Sequence, residues 1–188
     1  MALLAKICLC GDGGVGKTSL KERYLGHGFQ SNYQPTLGSD FASKKVRLRI
    51  KSSYKTLRFQ IWDLAGQPSF NQVRAIYFNH AVGALLIFDI TRPNTMYNLE
   101  KWINELVEHS GSPDISVIVL GNKSDLKNEK ETTIDTKTAK KFITERLESK
   151  FDNINLKIRY FETSAKSGIN VGKTFSTLGK KIYDYYSH

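Results

Sequence analysis

Eight residues near the start read Gly11-Asp12-Gly13-Gly14-Val15-Gly16-Lys17-Thr18. The spacing G-x-x-x-x-G-K-[ST], after an apolar run and before a helical pattern, is that of a phosphate-binding loop. The residue types suit that chemistry. Glycines let backbone N–H groups turn inward around phosphate oxygens. The following helix aims its positive N-terminus at the same anion. Lys17 can reach β- and γ-phosphates, and the Thr18 hydroxyl can bind Mg²⁺. Alone, the loop implies a nucleoside triphosphate and leaves base and reaction open.

Asp63-Leu64-Ala65-Gly66-Gln67 follows the apolar run Leu57–Trp62. An acid there can hold Mg²⁺ through a water. Gly66 lets a backbone N–H approach the γ-phosphate, and Gln67 has the donor and acceptor to orient an attacking water. In isolation D-x-x-G is also an ordinary turn. Gly121-Asn122-Lys123-Ser124-Asp125 follows a third apolar run. A carboxylate there can accept from N1 and the exocyclic amine of guanine, a donor pair adenine lacks. Asn122 can tie the base site to the phosphate loop, and the Lys123 stem can lie along the ring. Thr163-Ser164-Ala165-Lys166 comes last, and the Ala165 N–H can read guanine O6.

Positioning these groups needs strands that end at one edge. Leu3–Cys10, Leu57–Trp62, Ala84–Ile90 and Ile115–Leu120 are apolar runs, and Lys157–Phe161 is a weaker one. Lys45–Lys51 alternates strictly and reads as the hairpin partner of Leu57–Trp62 across Ser52-Ser53. Helical spacing recurs in Lys17–Leu25, in Met96, Leu99, Ile103 and Leu106, in Ala139, Phe142, Ile143 and Leu147, and in Val171, Phe175, Leu178 and Ile182. The order is β-α-β-β-α-β-α-β-α-β-α: a mostly parallel sheet with helices on both faces and one hairpin strand at an edge. Ligands of such sheets bind at the carboxyl ends of the strands, where all four motifs fall.

The 188 residues suit one domain, 1–188. Their 40% hydrophobic and 24% charged content excludes a disordered chain. The longest apolar stretch, Ala81 to Phe88, is far short of the roughly 18 residues that span a bilayer. Lys6 interrupts the apolar start, so no signal peptide is expected. Cys8 and Cys10 share one strand face and read as buried thiols in a reducing, cytoplasmic compartment.

Together these motifs resemble a Ras-superfamily small GTPase over essentially the whole chain. Trp62–Gln67, Ala84–Thr91, Asn98–Trp102 and Thr36–Phe41 are most similar to the Rab branch. The resemblance implies the P-loop NTPase three-layer α/β sandwich, with six strands, one of them antiparallel at an edge. It implies a switch that hydrolyses GTP to GDP with Mg²⁺ and signals through switch I, about 30–41, and switch II, about 63–77. It assigns catalysis to Gln67, Lys17 and Gly66, and Mg²⁺ ligation to Thr18, Thr36 and Asp63. Nucleotide contacts fall to Gly13, Gly14, Val15, Gly16, Lys17, Thr18, Ser19, Phe29, Tyr33, Thr36, Gly66, Asn122, Lys123, Asp125, Ser164, Ala165 and Lys166. Phe29 would pack edge-on against the guanine. The implied partners are an exchange factor, an activating protein and effectors, acting on a monomer. The alternative is a guanine-nucleotide-binding module with little turnover.

Some features depart from that family. Pro68 replaces the usual Glu after Gln67 and stiffens switch II. Leu64 stands for the usual Thr. Lys127–Arg159 is longer than usual, with extra helix after Asp135 and a turn at Ser149–Asn155. The terminal residues hold no cysteine for prenylation, and Ala2 stands where myristoylation needs Gly. That fits either a shortened chain or a relative without lipid. Arg74 and Arg92 read as surface residues, so no arginine is expected in cis and hydrolysis alone should be slow.

The charge is 28 Lys+Arg against 18 Asp+Glu, a net +10. Lys44, Lys45, Arg47, Arg49, Lys51, Lys55 and Arg58 fall between Phe41 and Trp62 with no acid. Lys45, Arg47, Arg49 and Lys51 share one strand face in this reading. Cations protect a solvated edge from pairing, or they meet an anionic effector or lipid headgroup. No aromatic-basic interleaving points to nucleic acid.

Overall fold

The computed structural model describes residues 3–30, 35–67, 71–111, 115–130, 132–151 and 158–186. The strands are β1 Leu3–Cys10, β2 Ser39–Ile50, β3 Ser53–Leu64, β4 Gly83–Asp89, β5 Ser116–Asn122 and β6 Arg159–Glu162. They form one sheet in the order β2-β3-β1-β4-β5-β6. β1 pairs in parallel with β3 and β4, β4 with β5, and β5 with β6. Only β2 runs antiparallel, at the edge beside β3.

The helices are α1 Lys17–Leu25, α2 Asn71–Phe78, α3 Pro93–Tyr97, α4 Leu99–Ser110, α5 Thr136–Phe142 and α6 Val171–Tyr186. Every residue of β4 is buried, as a strand covered on both faces must be. One core joins Cys8, Cys10 and Phe88 to Phe78 of α2, Ile103 and Leu106 of α4, and Phe142 of α5. The other joins Ile7, Leu9 and Phe59 to Leu20 of α1 and Phe175, Leu178 and Ile182 of α6. Helices therefore cover both faces, as the patterning requires. No helix among the described residues is long and apolar enough to cross a membrane.

The hairpin is longer than its alternating segment implies. Each arm runs 12 residues, carrying β2 back to Ser39 and β3 on to Leu64. The turn is Lys51-Ser52, because Ile50 pairs with Ser53. Lys51 adopts φ 52°, which a two-residue hairpin loop demands at its first position. It therefore leaves the strand face, and the exposed row is Lys45, Arg47 and Arg49. Backbone pairing extended strands whose polar residues hide the period.

Asp135 caps α5, its Oδ1 accepting from the Thr138 N–H at 2.7 Å. The chain continues through a π-helical turn, Ile143–Glu148, and a 3₁₀ turn, Ser149–Phe151. The wider turn keeps Ile143 and Leu147 buried. The remainder of the expected Ser149–Asn155 turn lies outside the described residues. Cys8 and Cys10 are buried free thiols. Burial pushes the Cys8 thiol up to about 12 and Cys10 well above its usual value.

Candidate nucleotide site

A cleft of about 1120 Å³ opens at the carboxyl ends of β1, β3, β4 and β5. Gly13, Gly14, Gly16, Lys17, Thr18 and Ser19 form its floor. Gly66 and Gln67 enter from one side, and Asn122, Lys123, Asp125, Ala165 and Lys166 from the other. Phe29 and Thr36 close the rim.

The β1 strand delivers the loop into this cleft. Lys17, 6% exposed, donates from Nζ to the carbonyls of Gly11 at 2.6 Å and Asp12 at 2.9 Å. Burial lowers its pKa to about 8. Val15 turns its side chain into the core, while its carbonyl accepts from Asn122 Nδ2 at 2.8 Å. Gly66 touches the loop backbone so closely that a Cβ would overlap Asp12 and Gly13. No side-chain residue fits there.

Thr18 Oγ1 donates to Asp63 Oδ2 at 2.6 Å and lies 3.0 Å from Thr36 Oγ1. Asp63 is fully buried, and its Oδ1 has no hydrogen-bond partner. Burial raises the carboxyl's pKa against the pull of Thr18 and Lys17. An orphaned buried carboxylate oxygen beside two hydroxyls is a hard-oxygen donor set, and it fits Mg²⁺. The three residues expected to bind the metal are therefore together.

The base end is equally knitted. Asn122 Oδ1 accepts from Thr163 Oγ1 at 3.2 Å and from the Ala165 N–H at 3.3 Å. The N–H expected to read guanine O6 thus has an acceptor within the protein. Asp125 Oδ1 accepts from Ser164 Oγ at 2.5 Å. Ser164 is buried beneath the cleft rather than lining it. Lys123 Nζ pairs with Asp89 Oδ2 at 2.7 Å. Tyr33 and Pro68 lie outside the described residues.

Arg74 corrects the sequence reading of a surface residue, whereas Arg92 is exposed as expected. Arg74 is buried, 4% exposed. Its Nε and Nη2 donate to Glu105 Oε2 at 3.1 Å and Oε1 at 3.0 Å, and Nη1 reaches the carbonyls of Ala65 and Gln67. Its guanidinium lies 4.0 Å from the Trp102 ring centroid. Arg74 therefore ties the start of switch II to α4. Arg92 stands at the phosphate loop, where Nη2 donates to the Gly13 carbonyl at 3.1 Å. An arginine of this chain is thus placed at the cleft after all.

Other partners lay beyond the motifs. Asp12 accepts from Asn98 Nδ2 at 2.7 Å and Trp102 Nε1 at 3.0 Å, pinning the loop to α4. Lys21, 1% exposed, pairs with Asp40 and with Glu22, and stands 4.0 Å from Asp63. Asp89 carried one legible signal: an acid that ends a wholly apolar strand at the ligand edge.

Comparisons agree with this geometry. The Ras family model matches residues 6–184. The Ras-related protein Rab-10 of Diplobatis ommata is 36% identical over 182 residues, covering 96% of this chain and 82% of its own. The Ras-related protein YPTC6 of Chlamydomonas reinhardtii is 35% identical, covering 98% and 77%. The GTP-binding protein YPT53 of Saccharomyces cerevisiae is 36% identical, covering 96% and 77%. On a family match over nearly all of its length and Rab and Ypt relatives that agree with it, this chain belongs to the Ras family, a GTP-binding switch GTPase.

Proposed function

We propose that residues 1–188 form one Rab-like G domain that cycles between GTP and GDP in membrane trafficking. The observation that carries this reading is the contact of Thr36 with Thr18, which in turn bonds Asp63. It joins the 35–41 segment to the phosphate loop through groups that sense the γ-phosphate. Loss of that phosphate would release the segment, and partners read the release.

Each residue then has a task. Backbone N–H groups of Gly13 to Ser19 surround the phosphates, and Lys17 meets their β- and γ-oxygens. Asp125, Asn122, Lys123, Ala165 and Lys166, with Ser164 behind them, select guanine, Phe29 packs against it, and Tyr33 adds a nucleotide contact, as the family resemblance implies. The Gly66 N–H fixes the γ-phosphate, and Gln67 orients the attacking water. Mg²⁺, when bound, would be held by Thr18, Thr36 and Asp63 and would neutralise charge on the β- and γ-phosphates.

An exchange factor, an activating protein and effectors would engage the exposed Leu37, Phe41 and Ile76 near the switches, with the chain acting as a monomer. The cationic 44–58 hairpin supports weak contact with anionic membranes. A module without turnover is not favoured, since the family is one of GTPases.

Mass spectrometry of nucleotide released from the purified protein tests this reading. Guanine nucleotide is the expected result. Adenine nucleotide would contradict it.

A further inference from the structure

We propose that Arg92 is a catalytic cation of this chain's own, reaching in cis the β–γ bridging oxygen of bound GTP. The proposal rests on the hydrolysis reading above.

The geometry holds Arg92 at the correct part of the loop. It stands three residues after the end of β4 and immediately before α3. Nε donates to Asp89 Oδ2 at 2.9 Å, and Nη2 donates to the Gly13 carbonyl at 3.1 Å. A Cβ on Gly14, whose φ is 72°, would lie 3.6 Å from Nη2. The guanidinium therefore covers Gly13 and Gly14, and all three residues line the cleft. Nη1 has no hydrogen-bond partner among the described residues and remains available as a donor.

Charge points the same way. Asp89 is 1% exposed, and Thr91 orients its Oδ1 through N–H at 2.9 Å and Oγ1 at 2.7 Å. Its Oδ2 meets both Arg92 and Lys123. Two cations share one carboxylate, so positive charge is left over at the cleft. A helix-capping surface arginine would need neither the Gly13 carbonyl nor a buried acid.

In the reaction, a water oxygen bonds to the γ-phosphorus. The bond from that phosphorus to the bridging oxygen breaks, and its electron pair stays on GDP. The water's proton leaves with the released phosphate. Negative charge grows on the bridging oxygen, and a planar guanidinium is suited to meet it. A supplied arginine is worth about 10³–10⁵-fold in such enzymes. The Arg92 side chain is 45% exposed and shares its charge with Asp89, so screening reduces the gain to about tenfold.

The test uses the purified chain, Mg²⁺ and GTP, without partner proteins. Single-turnover hydrolysis, GDP affinity and capture of GDP–aluminium fluoride are measured for wild type, Arg92→Ala, Arg92→Gln and Arg92→Lys. Ala and Gln should slow hydrolysis about tenfold, and Lys should restore part of the rate. GDP affinity and the melting temperature with GDP should hold for Gln, whose shorter side chain keeps a neutral amide donor near Asp89 in place of Nε. Wild type should capture GDP–aluminium fluoride, and Ala and Gln should not. Unchanged hydrolysis in Ala and Gln, or a loss of GDP affinity equal to the loss of rate, would overturn the proposal while leaving the GTPase reading intact. A wild type that cleaves no GTP would overturn both.

Discussion

Asn122 is the hinge pin between the phosphate and base halves of the cleft, and Asn122→Ala tests that role. The amide is 1% exposed. It donates to Val15 and accepts from Thr163 and Ala165 at 2.8, 3.2 and 3.3 Å. Truncation orphans one carbonyl, one hydroxyl and one N–H, all on residues at most 4% exposed. Each such group costs about 1–3 kcal/mol. Partial relaxation leaves a net loss of about 3–6 kcal/mol, a large share of the roughly 5–15 kcal/mol of a typical domain. Thr163→Val removes only the 3.2 Å bond and should cost about 1 kcal/mol. Urea unfolding of both variants gives the comparison once the GDP contribution, RT ln(1 + [GDP]/Kd) with each variant's own Kd, has been subtracted. GDP release should quicken about 100-fold in Asn122→Ala if about 3 kcal/mol falls on the bound state. An Asn122→Ala protein no less stable than Thr163→Val, with unchanged GDP release, would refute the reasoning.

Three further outcomes follow. Asp125→Asn replaces an acceptor pair with an amide that carries donors, so GDP affinity should fall at least about 100-fold, the worth of two charge-assisted bonds. Competition binding against labelled GDP reads this directly, and retained affinity would remove Asp125 from base recognition. Arg74→Leu strips the buried partner from Glu105 and the Ala65 and Gln67 carbonyls. It should destabilise the fold by about 3 kcal/mol in urea; a loss under 1 kcal/mol, as for exposed pairs, would return Arg74 to the surface. Cys8 and Cys10 are buried, and their thiols titrate far above neutral. Maleimide at pH 7.5 should therefore label neither until urea unfolds the chain; labelling of the folded form would contradict the buried strand.

The motif residues were legible because each motif combines a local turn with an apolar strand. Glycines of the phosphate loop, Gly66 and the Asn122–Asp125 run lie within a few residues of the strand that aims them. Strands β4 and β5 could be read from apolar runs alone, since burial on both faces removes any polar alternation. Arg74 and Arg92 could not be placed that way. A guanidinium in a helix or loop looks solvated until Glu105, Trp102 or Asp89 is known to stand beside it. Those partners are up to 31 residues distant in sequence, and only the packing of α4 and β4 brings them close. The reach of the hairpin was hidden for another reason. Ser39 to Lys44 and Ser53 to Thr56 carry few apolar side chains, and ladder hydrogen bonds hold them in the sheet.

Hydrolysis of GTP at this cleft is read from one rate. Wild-type protein loaded with GTP labelled in its γ-phosphate and given Mg²⁺ should release phosphate in a single turnover, and the same protein offered ATP should not. Gln67→Leu keeps the side chain's bulk but removes both water-orienting groups, and it should abolish release while GTP stays bound. Equal turnover of ATP, or a Gln67→Leu variant as fast as wild type, would contradict guanine-specific hydrolysis through Gln67.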